Sequence, residues 1–173
     1  MANIAVFGSA FNPPHYGHLS VVERLSHFDK VLLVPSIAHA WGKEMLDYAV
    51  RCELVEAFIG DIRCRNVALS RVEQALYNGI DRVTTFQVLE ALQLDSPTDE
   101  FTFVMGPDNL FSFSKFDKSD EILRRWSVLA CPQTHDIRST DIRKKVEHSQ
   151  EINNLTSTNV VSMLQKKGLY LKL

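Results

Sequence analysis

Two stretches of this chain carry residue types, at the spacing, that could hold phosphate. The first is Gly8-Ser9-Ala10-Phe11-Asn12-Pro13-Pro14-His15-Tyr16-Gly17-His18. Small residues at Gly8, Ser9 and Ala10 let a bulky ligand approach the backbone, whose N–H groups can face an anion. The paired prolines delay helix formation, so a helix is expected to begin near Tyr16 or Gly17. His15 and His18 then share a face near its first turn, at the anion-friendly end of the helix dipole. The second stretch is Asp136-Ile137-Arg138-Ser139-Thr140-Asp141-Ile142-Arg143-Lys144-Lys145. Ser139 or Thr140 is expected to cap a helix with Asp141 in its first turn. Arg143 and Lys144 follow one turn along, where a guanidinium fork could meet a phosphate bound at the helix end.

The elements that must position these residues are legible in the apolar pattern. Five short runs read as strands: Asn3–Phe7, Lys30–Val34, Val67–Ser70, Phe101–Met105 and Ser127–Cys131. Most lack polar alternation, as expected of strands covered on both faces of a parallel sheet. Helical stripes lie between and after them: Leu19, Val22, Leu25 and Phe28; Leu46, Ala49, Val50, Leu54 and Phe58; Val83, Val88, Leu89 and Leu92; and Val160, Val161 and Leu164. This alternation predicts an α/β, Rossmann-like doubly wound parallel sheet of about five strands with helices on both faces. In such a sheet a ligand sits beyond the carboxyl ends of the strands, at the switch in strand order. The chemistry is therefore expected after the first, fourth and last strands.

The chain has 173 residues, fitting one domain over residues 1–173. Nineteen Lys and Arg against 21 Asp and Glu give a formal net charge of −2, so no general attraction to nucleic acid or anionic membrane is expected. Any anion must be held by a local cluster of donors. Cys52, Cys64 and Cys131 are odd in number and widely spaced, which suits free thiols in a reducing compartment. The N-terminus lacks the basic region of a signal peptide, and no apolar run approaches a membrane span. A cytoplasmic protein is expected.

A strand running into GSAFNPPHYGH and then a helix resembles the nucleotidylyltransferase superfamily, whose shared element is HxGH after a small-residue loop. The Asn-Pro-Pro-His form is most similar to bacterial nicotinate-mononucleotide adenylyltransferase. The second stretch resembles the superfamily's ISSTxIR motif, which in the family grips the β- and γ-phosphates of ATP. The resemblance covers nearly the whole chain. It implies adenylyl transfer from ATP to the 5′-phosphate of nicotinate mononucleotide, giving nicotinate adenine dinucleotide and pyrophosphate in NAD biosynthesis. His15, His18 and Arg143 would be catalytic, the histidines as protonated or hydrogen-bonding imidazoles at the α-phosphate. Gly8, Ser9, Ala10, Phe11, Gly17, Ile137, Ser139 and Thr140 would bind ATP. Gly106 and Asp108 look like the family's GxD, whose carboxylate takes the adenosine ribose hydroxyls. Lys43, Thr85 and Phe116 match positions on the acceptor side: a basic residue near the 5′-phosphate, part of the YTxxTL segment, and the aromatic that stacks on nicotinate. Mg²⁺ is implied, bound mainly through ATP phosphates, and no protein metal ligand is expected.

The chain departs from the family pattern at particular places. Ala10 replaces Ser or Thr, Arg138 replaces the first serine of ISST and adds charge beside the triphosphate, and Phe116 stands near the family's tryptophan. Thr84 and Val88 replace a tyrosine and a threonine of YTxxTL. These changes leave nicotinamide mononucleotide or phosphopantetheine as alternative acceptors, and a catalytically inactive nucleotide-binding module as an alternative role. HYGH also resembles the HIGH of class I aminoacyl-tRNA synthetases, but the chain has no KMSKS-like loop and no basic excess. The GxGxxG fingerprint of NAD-dependent oxidoreductases is missing. Composition leaves the oligomeric state open.

Overall fold

The apolar runs form five parallel strands in the computed structural model, which describes residues 1–39 and 44–171. They are β1 (Asn3–Ser9), β2 (Lys30–Pro35), β3 (Val67–Leu69), β4 (Glu100–Met105) and β5 (Ser127–Ala130), in the order β3-β2-β1-β4-β5. The described helices are α1 (Tyr16–Val22), α2 (Tyr48–Asp61), α3 (Val72–Leu76), α4 (Thr85–Asp95), α5 (Pro107–Ser112), α6 (Ser119–Arg125), α7 (Ser139–Glu147) and α8 (Thr158–Lys166). This is the doubly wound Rossmann-like architecture expected from the sequence.

Why the strands are apolar throughout is seen in how their residues divide. Ile4 and Val6 of β1 face a cluster with Phe86 and Leu89 of α4, Ile122 of α6 and Trp126. Ala5 and Phe7 face the other way, against Val21 and Val22 of α1, Leu25 just after it, and Val55 of α2. Side chains alternate across a strand, so burial of both faces leaves polar residues mainly to the strand ends. A third cluster joins Leu54 and Phe58 of α2 to Ile142 of α7 and Val160, Val161 and Leu164 of α8. It fixes the C-terminal helices to the side of the sheet that carries α1.

Strand order reverses at β1, which pairs with β2 on one side and β4 on the other. The connections leaving the two adjacent carboxyl ends run to opposite faces, opening a crevice between Ser9 and Gly106. Two helical stripes begin earlier in the sequence pattern than in the structure. Leu46 precedes α2 and Val83 precedes α4, although both pack on the same apolar clusters as the helices they adjoin. Cys52 and Cys131 are buried and Cys64 half-buried, and all three are free thiols. No described helix is long and apolar enough to cross a membrane.

Candidate active site

The crevice at the switch point is a cavity of about 300 Å³. Phe7, Gly8 and Ser9 form its floor, His15, Gly17 and His18 one wall, Gly106–Asn109 another, and Gln133 with Ile137–Thr140 a third. The turns after β1, β4 and β5 thus converge, as the sequence reading anticipated.

Two imidazoles build the amino end of α1. His15 is the N-cap, and its Nδ1 accepts from the Gly17 N–H at 3.0 Å. His18 reaches back so that its Nδ1 accepts from the His15 N–H at 3.1 Å. Serine or threonine with glutamate usually makes this reciprocal arrangement; here two histidines do. The rings lie 3.9 Å apart between centroids, and His18 also rests on Phe11 at 4.7 Å. Burial pushes His15 down to about 4, and burial followed by the facing His15 pushes His18 well below its ordinary value. Burial thus favours the neutral form of both rings. Because each Nδ1 accepts a backbone N–H, each neutral ring carries its proton on Nε2. His18 Nε2 lies 3.1 Å from Ser9 Oγ and donates to it, leaving the serine hydroxyl proton free to turn toward a ligand.

Gly17 is required by close approach. A Cβ there would stand 2.4 Å from Gln133 Nε2 and under 3 Å from two atoms of the His15 ring. Gly106 is the opposite case, since a Cβ would meet nothing within 4 Å and the backbone faces open space.

The loop between Ser9 and α1 is anchored from distant parts of the chain. Phe11 is fully buried with φ +48°, a conformation unusual for an aromatic residue, and its side chain belongs to the core. Arg51, only 1% exposed, donates through Nη1 to the Ala10 carbonyl at 2.8 Å and through Nε to the Leu46 carbonyl at 2.8 Å. Asn12 Oδ1 accepts from the Tyr170 hydroxyl and from the Leu46 N–H. Ser139 Oγ donates to the Pro13 carbonyl at 3.0 Å, and Thr156 Oγ1 to the Pro14 carbonyl at 2.8 Å.

Several expected residues are placed differently from their sequence reading. Neither Ser139 nor Thr140 caps α7. The helix starts at Ser139, Arg138 is its N-cap, and no side chain caps that end. The Ser139 hydroxyl is instead drawn to Pro13, and Thr140 Oγ1 accepts from Arg143 Nη2 at 3.2 Å. Arg143 does not line the cavity; its Nη1 donates to the Asn12 carbonyl at 2.8 Å, tying α7 to the first loop. Ala10 and Phe11 also lie behind the cavity wall. Thr85 opens α4 beside its N-cap Thr84, whose capping box with Gln87 confirms a helix start there. Phe116 packs against Phe103 and Phe113 at 6.0 and 5.3 Å. Neither Thr85 nor Phe116 lines the histidine cavity. Lys43 lies outside the described residues.

Arg51 and Gln133 were not anticipated, and Asn109 and Tyr170 stood out only as parts of the stretches Met105–Asn109 and Lys167–Tyr170 that resemble the family, with no role of their own. Arg51 had a faint signal, as a lone cation within the apolar stripe of α2.

A parallel sheet with this strand order and a donor-lined crevice at the reversal has the architecture of a Rossmann-like nucleotide-binding protein. The chain belongs to the Cytidylyltransferase-like family, whose sequence profile matches residues 6–145. It is 50% identical to a Vibrio parahaemolyticus protein of known structure that bears, provisionally, the name nicotinate-nucleotide adenylyltransferase. That likeness covers 100% of this chain and 98% of the other, with a TM-score of 0.90. A protein of Anaeromyxobacter dehalogenans with the same provisional name is 26% identical over 96% of each chain. The fold is shared with Plasmodium falciparum nicotinic acid mononucleotide adenylyltransferase complexed with NaAD, at 16% identity, TM-score 0.80 and 98% coverage of each chain.

Proposed function

We propose that this protein transfers the adenylyl group of ATP to the 5′-phosphate of nicotinate mononucleotide, forming nicotinate adenine dinucleotide and releasing pyrophosphate. The observation that carries this reading is the pair of neutral, Nε2-protonated histidines beside Ser9, facing the uncapped amino end of α7 across one cavity. The names of the relatives, including one 50% identical over the whole chain, support the acceptor.

In this reaction an oxygen of the acceptor phosphate bonds to the α-phosphorus while the bond to the bridging oxygen of the β-phosphate breaks. A phosphate monoester, with a second pKa near 6, is largely the dianion at pH 7 and needs no general base. The protein's task is to align two polyanions and meet the transition-state charge with fixed donors. Backbone N–H groups hold both rings in place: His15 would present Nε2–H to the α-phosphate, and His18, whose Nε2–H goes to Ser9, would turn the Ser9 hydroxyl proton toward it. Ser139 and Thr140 with the free amino end of α7 would take the β- and γ-phosphates, with Arg143 bracing them through Thr140 and Asn12. Asp108 would accept from the adenosine ribose, and the open backbone at Gly106 leaves room for it. Lys43, Thr85 and Phe116 would serve the acceptor.

Bound Mg²⁺ would offset charge on the triphosphate and on the departing pyrophosphate. It would be held by phosphate oxygens. Among the described residues no three His, Cys, Asp or Glu side chains gather as a cage, and Asp108 is the one carboxylate on the cavity wall. As a single domain acting on free nucleotides, the enzyme would work in the cytoplasm without nucleic acid.

Pyrophosphate release from ATP and Mg²⁺ tests the reading, with nicotinate and nicotinamide mononucleotides compared side by side. Preference for nicotinate is expected. Preference for nicotinamide would replace the acceptor, and release with neither would overturn the reaction.

A further inference from the structure

The mouth of the cavity is bridged in the free protein. Arg138 Nη1, on the α7 wall, stands 3.8 Å from Asp108 Oδ2 on the α5 wall. Both residues line the cavity, and they come from turns after different strands. The contact is loose, a single nitrogen to a single oxygen at the long end of the ion-pair range. The side chains are 66% and 86% exposed, so water screens the attraction and the pair opens readily.

Each partner has a better match in a nucleotide than in the other. A guanidinium fork suits the paired oxygens of a polyphosphate. Arg138 is the N-cap of α7 with extended backbone, so its side chain starts beside the N–H groups left uncapped at that helix end. Asp108 sits in the first turn of α5 directly after Gly106, where the backbone faces open space. A carboxylate there can accept from a pair of sugar hydroxyls.

We propose that Arg138 and Asp108 form a latch across the cavity mouth, which ATP opens by giving Arg138 its triphosphate and Asp108 its ribose. This inference rests on the adenylyl-transfer reading of the cavity. Its consequence is selection for a whole nucleoside triphosphate. A bare polyphosphate on Arg138 keeps the Asp108 carboxylate nearby as a second anion, and a nucleoside engages Asp108 alone, so each makes only one of the two contacts that ATP makes together. Arg138 is thus a specificity-determining residue supplied by this chain's own departure from the family's serine.

The test is a double-mutant cycle on the full chain, with affinities for inorganic tripolyphosphate and for ATP measured by calorimetry at fixed salt. Asp108→Asn is expected to tighten tripolyphosphate by about two- to fivefold, the scale of an exposed ion pair, while weakening ATP. Arg138→Ser is expected to weaken both. In the Arg138→Ser background, Asp108→Asn should recover less than half of its effect on tripolyphosphate. Equal tightening in both backgrounds would show a general charge effect and overturn the latch, as would no tightening at all. Wild-type pyrophosphate release is measured alongside. Turnover with a failed cycle overturns the latch alone, whereas an intact cycle without turnover overturns the reaction and leaves the latch standing.

Discussion

The phosphate side and the acceptor side of this protein are built by different means. Around His15 and His18, polar groups are tied down by hydrogen bonds between residues 41 to 142 positions apart in the chain. Arg143 reaches Asn12, Thr156 reaches Pro14, and Arg51 reaches Ala10. Around Thr85 and Phe116 the framework is apolar. Phe86 meets Trp126 edge-on at 5.7 Å, and Phe103, Phe113 and Phe116 form a cluster. Directional bonds fix positions to tenths of an ångström, as charge stabilisation requires. Contacts between aromatic rings accept substitution with adjustment. The departures from the family fall on both sides: Thr84, Val88 and Phe116 on the apolar one, and Ala10 and Arg138 on the phosphate one.

The largest effect is expected where geometry is most constrained. His18→Ala should lower kcat a hundredfold or more, the usual scale for losing an electrostatic catalyst. Turnover near wild type would remove the distinction between the two sides. Gly17→Ala forces a Cβ against Gln133 and the His15 ring. A loss of about ten- to a hundredfold in kcat/KM is expected from ring displacement alone, with the far-ultraviolet circular dichroism unchanged. On the acceptor side, Phe116→Trp should lower the acceptor KM only about two- to fivefold, as a larger stacking face would, leaving the KM for ATP where it was. A change in the KM for ATP would show that the two sides are coupled.

The smallest effect concerns stability against pH, where two regions oppose each other. His15, depressed to about 4 when folded, binds fewer protons than in the unfolded chain between about pH 4 and 6.5. Its contribution is full above pH 6.5 and is lost as pH falls through that window. Glu73, on α3, accepts from the Ile37 N–H at 2.8 Å, and burial raises it to about 7. It binds more protons when folded, so its contribution is full below about pH 4.5 and is lost as pH rises toward 7 and beyond. The two slopes partly cancel. Glu73→Gln should therefore steepen the fall in stability on acidification, measured by urea midpoint, and His15→Asn should flatten it. A profile unmoved by either change would contradict both shifts.

The framework was open to reading because burial on two faces keeps most of the strands largely apolar. All five strands fall within two residues of their expected ends, and the reversal of order lies between the two strands whose following turns carry GSAF and GPD. The site's residue types were equally visible. What escaped was how their polar atoms are spent. A hydroxyl before a helix reads as a cap, yet Ser139 turns to a carbonyl 126 residues away. Arg51 sits in an apolar stripe, and only the folded loop shows that its partner is Ala10. Nor could spacing decide the charge on the histidines, which depends on burial and on the backbone N–H groups that occupy each Nδ1.

The stitching of the first loop by the last helices also sets an order of assembly during synthesis. All five strands are present once Ala130 has emerged, and the sheet can then close. The loop that holds Ser9 and His15 still lacks Ser139, Arg143, Thr156 and Tyr170, its partners from the end of the chain. A ribosome-bound chain halted near residue 135 would thus carry every residue of the histidine element and none of the contacts that tie it down from the C-terminal side. The contacts that hold the first loop in place arrive last, with the C-terminal part of the chain.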